Sequence, residues 1–289
     1  MKYRFIDLFA GAGGLSEGFI RAGYEPIAHI EMDHYACDSL KTRAAFHYLK
    51  ENGKLEIYEE YLKNKKEKTD GSWLWNQVPK SVIDSVIQEA IGKETLPSLF
   101  ERVDKLCNGK PVDMIIGGPP CQAYSVAGRA RLGKKIEEDP RNDLYKFYVE
   151  FLKRYKPKMF VFENVLGIFT AKGGEPFRDL IRLVRELDYN IDFREQIASQ
   201  HGVLQKRHRV IIVGWQNKRD TQEDTSYHYP YLLEEQMPYK MMRDLFCDLP
   251  IVKAGEGTLC GIVHYTKPLS DMEYLKKSGI RGVLSFTTQ

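Results

Sequence analysis

The sequence predicts an α/β chain built on a doubly wound, mostly parallel sheet with helices on both faces. Three observations predict it. Short apolar runs bounded by turn residues alternate with segments of helical spacing. A glycine-rich turn, Gly11-Ala-Gly13-Gly14, follows the first apolar run and opens the first helix. Further strands end in polar or turn-forming residues, at Gly117-Gly118-Pro119-Pro120 and at Glu163-Asn164, and the carboxyl ends of strands line the ligand crevice in such sheets.

The elements follow in order. Phe5–Phe9 is a strand, Leu15–Ala22 a helix, and Pro26–Ile30 a second strand that ends at Glu31. His34–Leu49 places apolar residues at helical spacing. Residues 51–70 alternate Lys and Glu in near balance and read as a solvated helix or loop. Residues 73–106 read as further helices broken at Pro79 and Pro97, so that about 51–106 is a helical insertion. Val112–Ile116 is a strand, Arg129–Asp139 a polar mobile loop, Leu144–Tyr155 an amphipathic helix and Met159–Phe162 a strand. Phe177–Leu187 is a helix, and Ile191–Ile197 and Val210–Val213 are strands. Beyond about residue 218 the periodicity fades and no element is placed.

Composition narrows the function classes. At 289 residues the chain holds one large domain, or one and part of a second. Lys and Arg number 43 against 40 Asp and Glu, a balance that leaves room for a local basic groove but is not the footprint of a histone-like binder. No run of 18 apolar residues predicts a membrane span, and the N-terminus has no signal-peptide pattern. The five cysteines (37, 107, 121, 247, 260) form no C-x-x-C, which argues against a disulfide framework or a structural zinc and fits a reducing cytoplasm.

Four segments carry chemistry. Glycines at the first turn let a ligand approach the backbone, and the helix N-terminus offers free N–H groups. Glu31, twenty positions after Gly11, can bind both hydroxyls of a ribose. Ser16 occupies the last glycine position of G-x-G-x-x-G, so this turn alone fits NAD, FAD or S-adenosylmethionine equally. Cys121 sits on a turn stiffened by Pro119 and Pro120, where nearby arginines would raise its thiolate fraction. The other four cysteines read as packing. Glu163 ends an apolar strand, where a desolvated carboxylic acid can give a proton to a ring nitrogen. Gln205, Arg207 and Arg209 alternate before Val-Ile-Ile-Val and, on a strand, share one face.

Taken in order, FIDLFAGAGG, GGPPCQAYSVAG, VFENV and QKRHR resemble the bacterial DNA cytosine-5 methyltransferases over roughly residues 4–214. The resemblance implies a Rossmann-like methyltransferase fold that uses S-adenosylmethionine and releases S-adenosylhomocysteine. It implies a catalytic and cofactor-binding domain over 1–218. Phe9, Ala10, Gly11, Gly13 and Gly14 match the turn that carries the cofactor, Glu31 the ribose ligand, Met32 the residue beside the adenine, and Pro120 and Leu144 further contacts. Cys121 matches the nucleophile that adds to C6 of cytosine, Glu163 the acid at N3, and Arg207 and Arg209 the pocket arginines. Gln122, Ser125, Asn164 and Gln205 match positions near the flipped nucleotide, and Arg129 and Arg131 follow the nucleophile on a loop that could track phosphates of double-stranded DNA. The usual setting of the family is a restriction-modification system in the bacterial cytoplasm.

The sequence also departs from the family. His201 and Leu204 replace an aromatic residue and a proline before the Gln of QxRxR. The adenine-binding Asp is unclear, with Asp104 the candidate. Arg243–Pro250 looks like the lead into a target-recognition region, and only about forty residues follow it. The expectation is therefore an incomplete recognition region over 219–289, in either a truncated enzyme or one subunit of a split enzyme whose second polypeptide supplies the rest. Competing readings are a tRNA cytosine-5 methyltransferase, a non-catalytic assembly or DNA-binding subunit that keeps the fold, and a NAD-dependent oxidoreductase, which leaves PCQ, ENV and QxRxR unexplained.

Overall fold

The computed structural model describes residues 2–63, 71–120, 143–203, 205–217 and 253. The chain divides into two compact units. One takes Met1–Tyr61, Asp70–Gln196 and His208–Tyr231, and the other Leu62–Thr69, Ile197–Arg207 and Leu232–Gln289.

The first unit is built on a seven-stranded sheet of order β3-β2-β1-β4-β5-β7-β6. Its strands are β1 (Arg4–Leu8), β2 (Glu25–Glu31), β3 (Val86–Gln88), β4 (Met114–Gly117), β5 (Met159–Asn164), β6 (Tyr189–Ile197) and β7 (His208–Gln216). The ladder from β3 through β5 is parallel, and β7 runs antiparallel to β5. The central strands are apolar on both faces, as strands covered by helices on both sides must be.

Helices α1 (Gly14–Arg21) and α2 (His34–Glu51) follow β1 and β2. Phe19 and Ile20 of α1 pack with Phe5, Met114 and Ile116 on one face of the sheet. Asp33 caps α2 by accepting from the Ala36 N–H at 2.8 Å. Then come α3 (Leu55–Lys63), α4 (Ser72–Trp75) and α5 (Lys80–Asp84). The opposite face buries the main core against α6 (Leu96–Cys107), α7 (Leu144–Tyr155) and α8 (Glu175–Glu186). Tyr148 of α7 is fully buried and donates to the carbonyls of Ile115 and Val161, which ties that helix to β4 and β5.

Three expectations need correction. Residues 73–106 are not wholly helical, because β3 lies within them and forms the sheet edge beside β2. Pro97 starts a helix rather than breaking one: it occupies the first turn of α6, where a missing N–H costs nothing. Gln205 and Arg207 do not share a strand face with Arg209, since β7 begins at His208. The mobile loop expected at Arg129–Asp139 and the region after residue 218 lie outside the described residues, apart from Lys253. Among the described residues no helix is long and apolar enough to cross a membrane.

Candidate active site

Three strand ends of the first unit converge: β1, β4 and β5 are consecutive neighbours in the sheet. Beyond β1 the chain turns through Phe9 (φ 55°), Gly11 (φ 53°) and Gly13 (φ 82°) into α1. Gly13 is obligatory there, because its φ is left-handed and an added Cβ would stand 2.9 Å from Leu40. Gly11 and Gly14 instead face open space. Gly13, the N-cap of α1, provides no side-chain hydrogen bond to the helix. Ala10 hangs the turn on β2 through its N–H to the Ile30 carbonyl, at 3.1 Å.

The Glu31 carboxylate sits at this turn. Oε2 accepts from the Gly11 N–H at 2.8 Å, while Oε1 accepts from the N–H groups of Met32 and Asp33 at 2.8 and 2.9 Å. These three bonds hold the carboxylate in place. Met32 beside it is 67% exposed, a large apolar side chain with no covering partner group in the core. β3 extends this rim. Gln88 is the register partner of Glu31, and the Glu89 N–H donates to the Glu31 carbonyl at 2.9 Å.

The second strand end owes its path to two glycines. A Cβ on Gly117 would lie 1.9 Å from the Leu8 carbonyl oxygen, and one on Gly118 would lie 1.8 Å from that of Glu163. Only glycine lets β4 leave the sheet between β1 and β5 and enter Pro119-Pro120. Asn164, 1% exposed, then braces that turn. Its Nδ2 donates to the Pro119 carbonyl at 3.4 Å, and its Oδ1 accepts from the Val165 N–H at 2.8 Å. Cys121, Gln122, Ser125, Arg129 and Arg131 lie outside the described residues. Leu144 opens α7.

At the third strand end Glu163 is clamped. Arg209 of β7 donates from Nε to Glu163 Oε1 at 2.7 Å and from Nη1 to the His208 carbonyl at 2.7 Å. The antiparallel register of β5 and β7 brings the two residues together from 46 positions apart. The second unit holds Gln205 and Arg207 in a tight loop: the Arg207 N–H donates to the Gln205 carbonyl at 3.0 Å, and the Arg207 carbonyl accepts from the Ala198 N–H at 2.9 Å.

Asp104 is engaged elsewhere. It accepts from the Tyr155 hydroxyl at 3.0 Å and pairs with Arg154, joining α6 to α7. Two acidic residues near the ends of β1 and β3 were not singled out in the sequence. Glu89 follows the strand that was not foreseen. Asp7 is 1% exposed on β1, just before the turn, and neither carboxylate oxygen has a partner among the described residues. Burial pushes Asp7 up to about 8, against the weaker opposing effect of Ser16. An acidic residue two positions before Phe9 was the available signal. Among the described residues no cluster of His, Cys, Asp and Glu could hold a metal.

Comparison with known proteins supplies the family. The profile of the C-5 cytosine-specific DNA methylases matches residues 3–72 and 91–260. The chain belongs to that family. Among the family's curated members, it is similar to the type II methyltransferase M.Bpa9945I of Bacillus paralicheniformis, with 33% identity over 280 residues, covering 87% of this chain and 62% of the relative. It is also similar to the type II methyltransferase M1.HphI of Haemophilus parahaemolyticus, with 29% identity, covering 98% of this chain and 63% of the relative. This methylase-family chain thus spans about three-fifths of the length of these relatives. The fold matches the crystal structure of a prophage-encoded E. coli protein described as a DNA modification methyltransferase, with a TM-score of 0.55 and 24% identity over 91% of this chain and 59% of that one.

Proposed function

We propose that this methylase-family chain transfers a methyl group from S-adenosylmethionine to C5 of cytosine in DNA through a covalent adduct of Cys121 with a flipped base. The observation that carries the proposal is the convergence of an open glycine turn, the glycine-cleared path into Pro119-Pro120, and the Glu163–Arg209 clamp at three adjacent strand ends. Family membership gives that convergence its chemistry.

The residues fit the cofactor. Open space at Gly11 and Gly14, uncapped N–H groups at α1 and a fixed Glu31 carboxylate suit a nucleoside with an amino-acid tail. Phe9, Ala10, Gly11, Gly13 and Gly14 would carry the tail, Glu31 the ribose hydroxyls and Met32 the adenine face, with Pro120 and Leu144 as further contacts. Glu89, at the end of β3, takes the place of the adenine-reading carboxylate in this proposal, with Asp104 set aside because its partners are Tyr155 and Arg154. When bound, the cofactor supplies an electrophilic methyl group.

Each residue of the chain then has one task. The Cys121 thiolate adds to C6 of cytosine while the Glu163 acid delivers a proton to N3, which makes C5 nucleophilic. After C5 is methylated, loss of its proton to a solvent base, expulsion of Cys121 and return of the N3 proton restore the ring. Arg209 orients Glu163, as the 2.7 Å bond supports. Asn164 holds the turn that leads to Cys121, and its burial favours this role over direct contact with DNA. Gln122, Ser125, Gln205, Arg207, Arg129 and Arg131 remain proposed substrate contacts. Removing a base from the stack costs about a few kcal/mol, which the pocket must return.

The test is transfer of labelled methyl from S-adenosylmethionine to unmethylated DNA, with Cys121→Ala as control. Incorporation at C5 of cytosine that disappears in the variant is expected. Cys121-independent transfer, or transfer to tRNA in preference to DNA, would overturn the reading.

A further inference from the structure

The two intervening residues of Gln205-Lys206-Arg207-His208-Arg209 have no task in the chemistry above, and the second of them makes a contact of its own. His208 Nδ1 lies 2.6 Å from Glu195 Oε1, across from β7 to its neighbour β6. A carboxylate only accepts, so the proton of this bond sits on Nδ1 and His208 donates. The bond stands where β7 has lost its other neighbour. The ladder of β7 with β5 runs from Trp215 against Met159 to Val210 against Asn164, where β5 ends. His208 and Arg209, the first two residues of β7, therefore run past the end of β5. On this overhang the Arg209 guanidinium makes two contacts, from Nε to Glu163 and from Nη1 to the His208 carbonyl, each at 2.7 Å. Three hydrogen bonds thus link Glu195 to the His208 ring, the His208 carbonyl to Arg209, and Arg209 to Glu163.

We propose that Glu195 and His208 are positioning residues for methyl transfer: the pair fixes the start of β7, and with it the carbonyl that steers the Arg209 guanidinium onto Glu163. This rests on the methyl-transfer reading above. Neither side chain acts on the base or the cofactor; both act through Arg209. The two side chains are 36% and 45% exposed, so their bond adds little to stability. A guanidinium displaced by about an ångström, by contrast, costs a rate heavily. The effect of the pair therefore falls on the rate and spares the fold. With the pair broken, the overhang frays, the His208 carbonyl loses its fixed direction, and Arg209 spends part of its time off Glu163. Cofactor and DNA then bind as before, and the methyl group moves more slowly.

The test is methyl transfer from S-adenosylmethionine to unmethylated DNA by the full chain, at limiting and saturating DNA so that kcat and KM separate. Cofactor affinity comes from equilibrium titration and Tm from thermal melts. His208→Ala and Glu195→Ala should each lower kcat about tenfold. KM for DNA and cofactor affinity should stay within about twofold, and Tm within about 2 °C. Glu195→Gln keeps an acceptor, and His208→Asn keeps a donor near the place of Nδ1, so each should recover most of the lost rate. Arg209→Lys lacks the planar guanidinium that the carbonyl steers, so adding His208→Ala to it should lower kcat less than about twofold further. Unchanged kcat in both alanine variants, or a further loss of about tenfold in the Arg209→Lys background, overturns the inference while leaving the methyl-transfer reading intact. A loss of kcat matched by losses of Tm and cofactor affinity assigns the pair to the fold and also overturns it. Absence of transfer by wild type overturns the methyl-transfer reading, and the inference with it.

Discussion

Replacing Asp7 by Asn should stabilise the protein, and the gain should depend on pH. Both side chains have the same shape, and Asn matches the neutral acid in leaving its polar atoms buried. Only the charge differs. Burial raises the folded pKa from 3.8 to about 8, so the folded chain holds this proton more tightly than the unfolded chain does. Stability contributed by the protonated acid is fully present below about pH 4 and falls as pH rises toward 8. Each tenfold in proton affinity is worth about 1.4 kcal/mol. Holding that proton while the unfolded chain ionises therefore costs about 2 kcal/mol at pH 5 and about 4 kcal/mol at pH 7, and Asn avoids both. The larger figure corresponds to roughly 10 °C in Tm for a domain of this size. Urea denaturation of wild type and variant at pH 5, 7 and 8.5 measures the difference directly. A difference that does not grow with pH, or an Asp7→Asn protein less stable at pH 8.5, would refute the claim that Asp7 is buried without a partner.

Other predictions follow from neighbouring contacts. Gly118→Ala forces a Cβ to within 1.8 Å of the Glu163 carbonyl oxygen, so urea denaturation should show a loss of at least about 2 kcal/mol; wild-type stability would contradict the close approach. Glu17 accepts from Arg21 and Arg43 at 2.7 and 3.2 Å and lies 2.9 Å from His47 Nε2. Burial opposes its charge, but the bonds from His47 and Arg21 outweigh it and hold the carboxyl down to about 2. Its stabilisation is present above pH 4.5 and is lost as pH falls toward 2. Glu17→Gln should cost about 1–2 kcal/mol at pH 7 after solvent screening and flatten that acid limb, as read by thermal melts from pH 2.5 to 7. Arg209→Lys keeps the charge but not the Nε geometry, and should lower kcat about a hundredfold with cofactor affinity unchanged in equilibrium titration. An equal loss in both would mean that the pair serves the fold alone.

What the sequence made legible was local. The strand, glycine turn and helix from Phe5 to Ala22 could be read because each feature is a few residues wide and has its own chemistry. Cys37 and Cys107, read as packing, are buried free thiols. Pro97 was misread because proline signals either a break or a first helical turn, and only the residues ahead of it decide. β3 escaped because Val86–Gln88 is too short for a period-two pattern, and its identity comes from pairing with His29–Glu31. The need for glycine at 117 and 118 is non-local, since the clashing atoms belong to Leu8 and Glu163. The Glu163–Arg209 pair was legible as two motifs but not as a contact, which required the register of β5 against β7. Asp7 stood in plain view within the first motif, but its burial without a partner depends on His29, Ser16 and Ile116 arriving from three other elements.

The proposed methyl transfer turns on a covalent adduct between Cys121 and cytosine. The most direct measurement incubates the chain with S-adenosylmethionine and duplex DNA in which 5-fluorocytosine replaces cytosine, then resolves the products under denaturing conditions and maps the linked peptide by mass spectrometry. Fluorine at C5 blocks the elimination that would release the enzyme. A denaturation-resistant complex joined at Cys121, methylated on the trapped base and absent from Cys121→Ala, is the expected product. Methyl transfer to ordinary DNA without any trapped complex, or a complex joined at another residue, would contradict it.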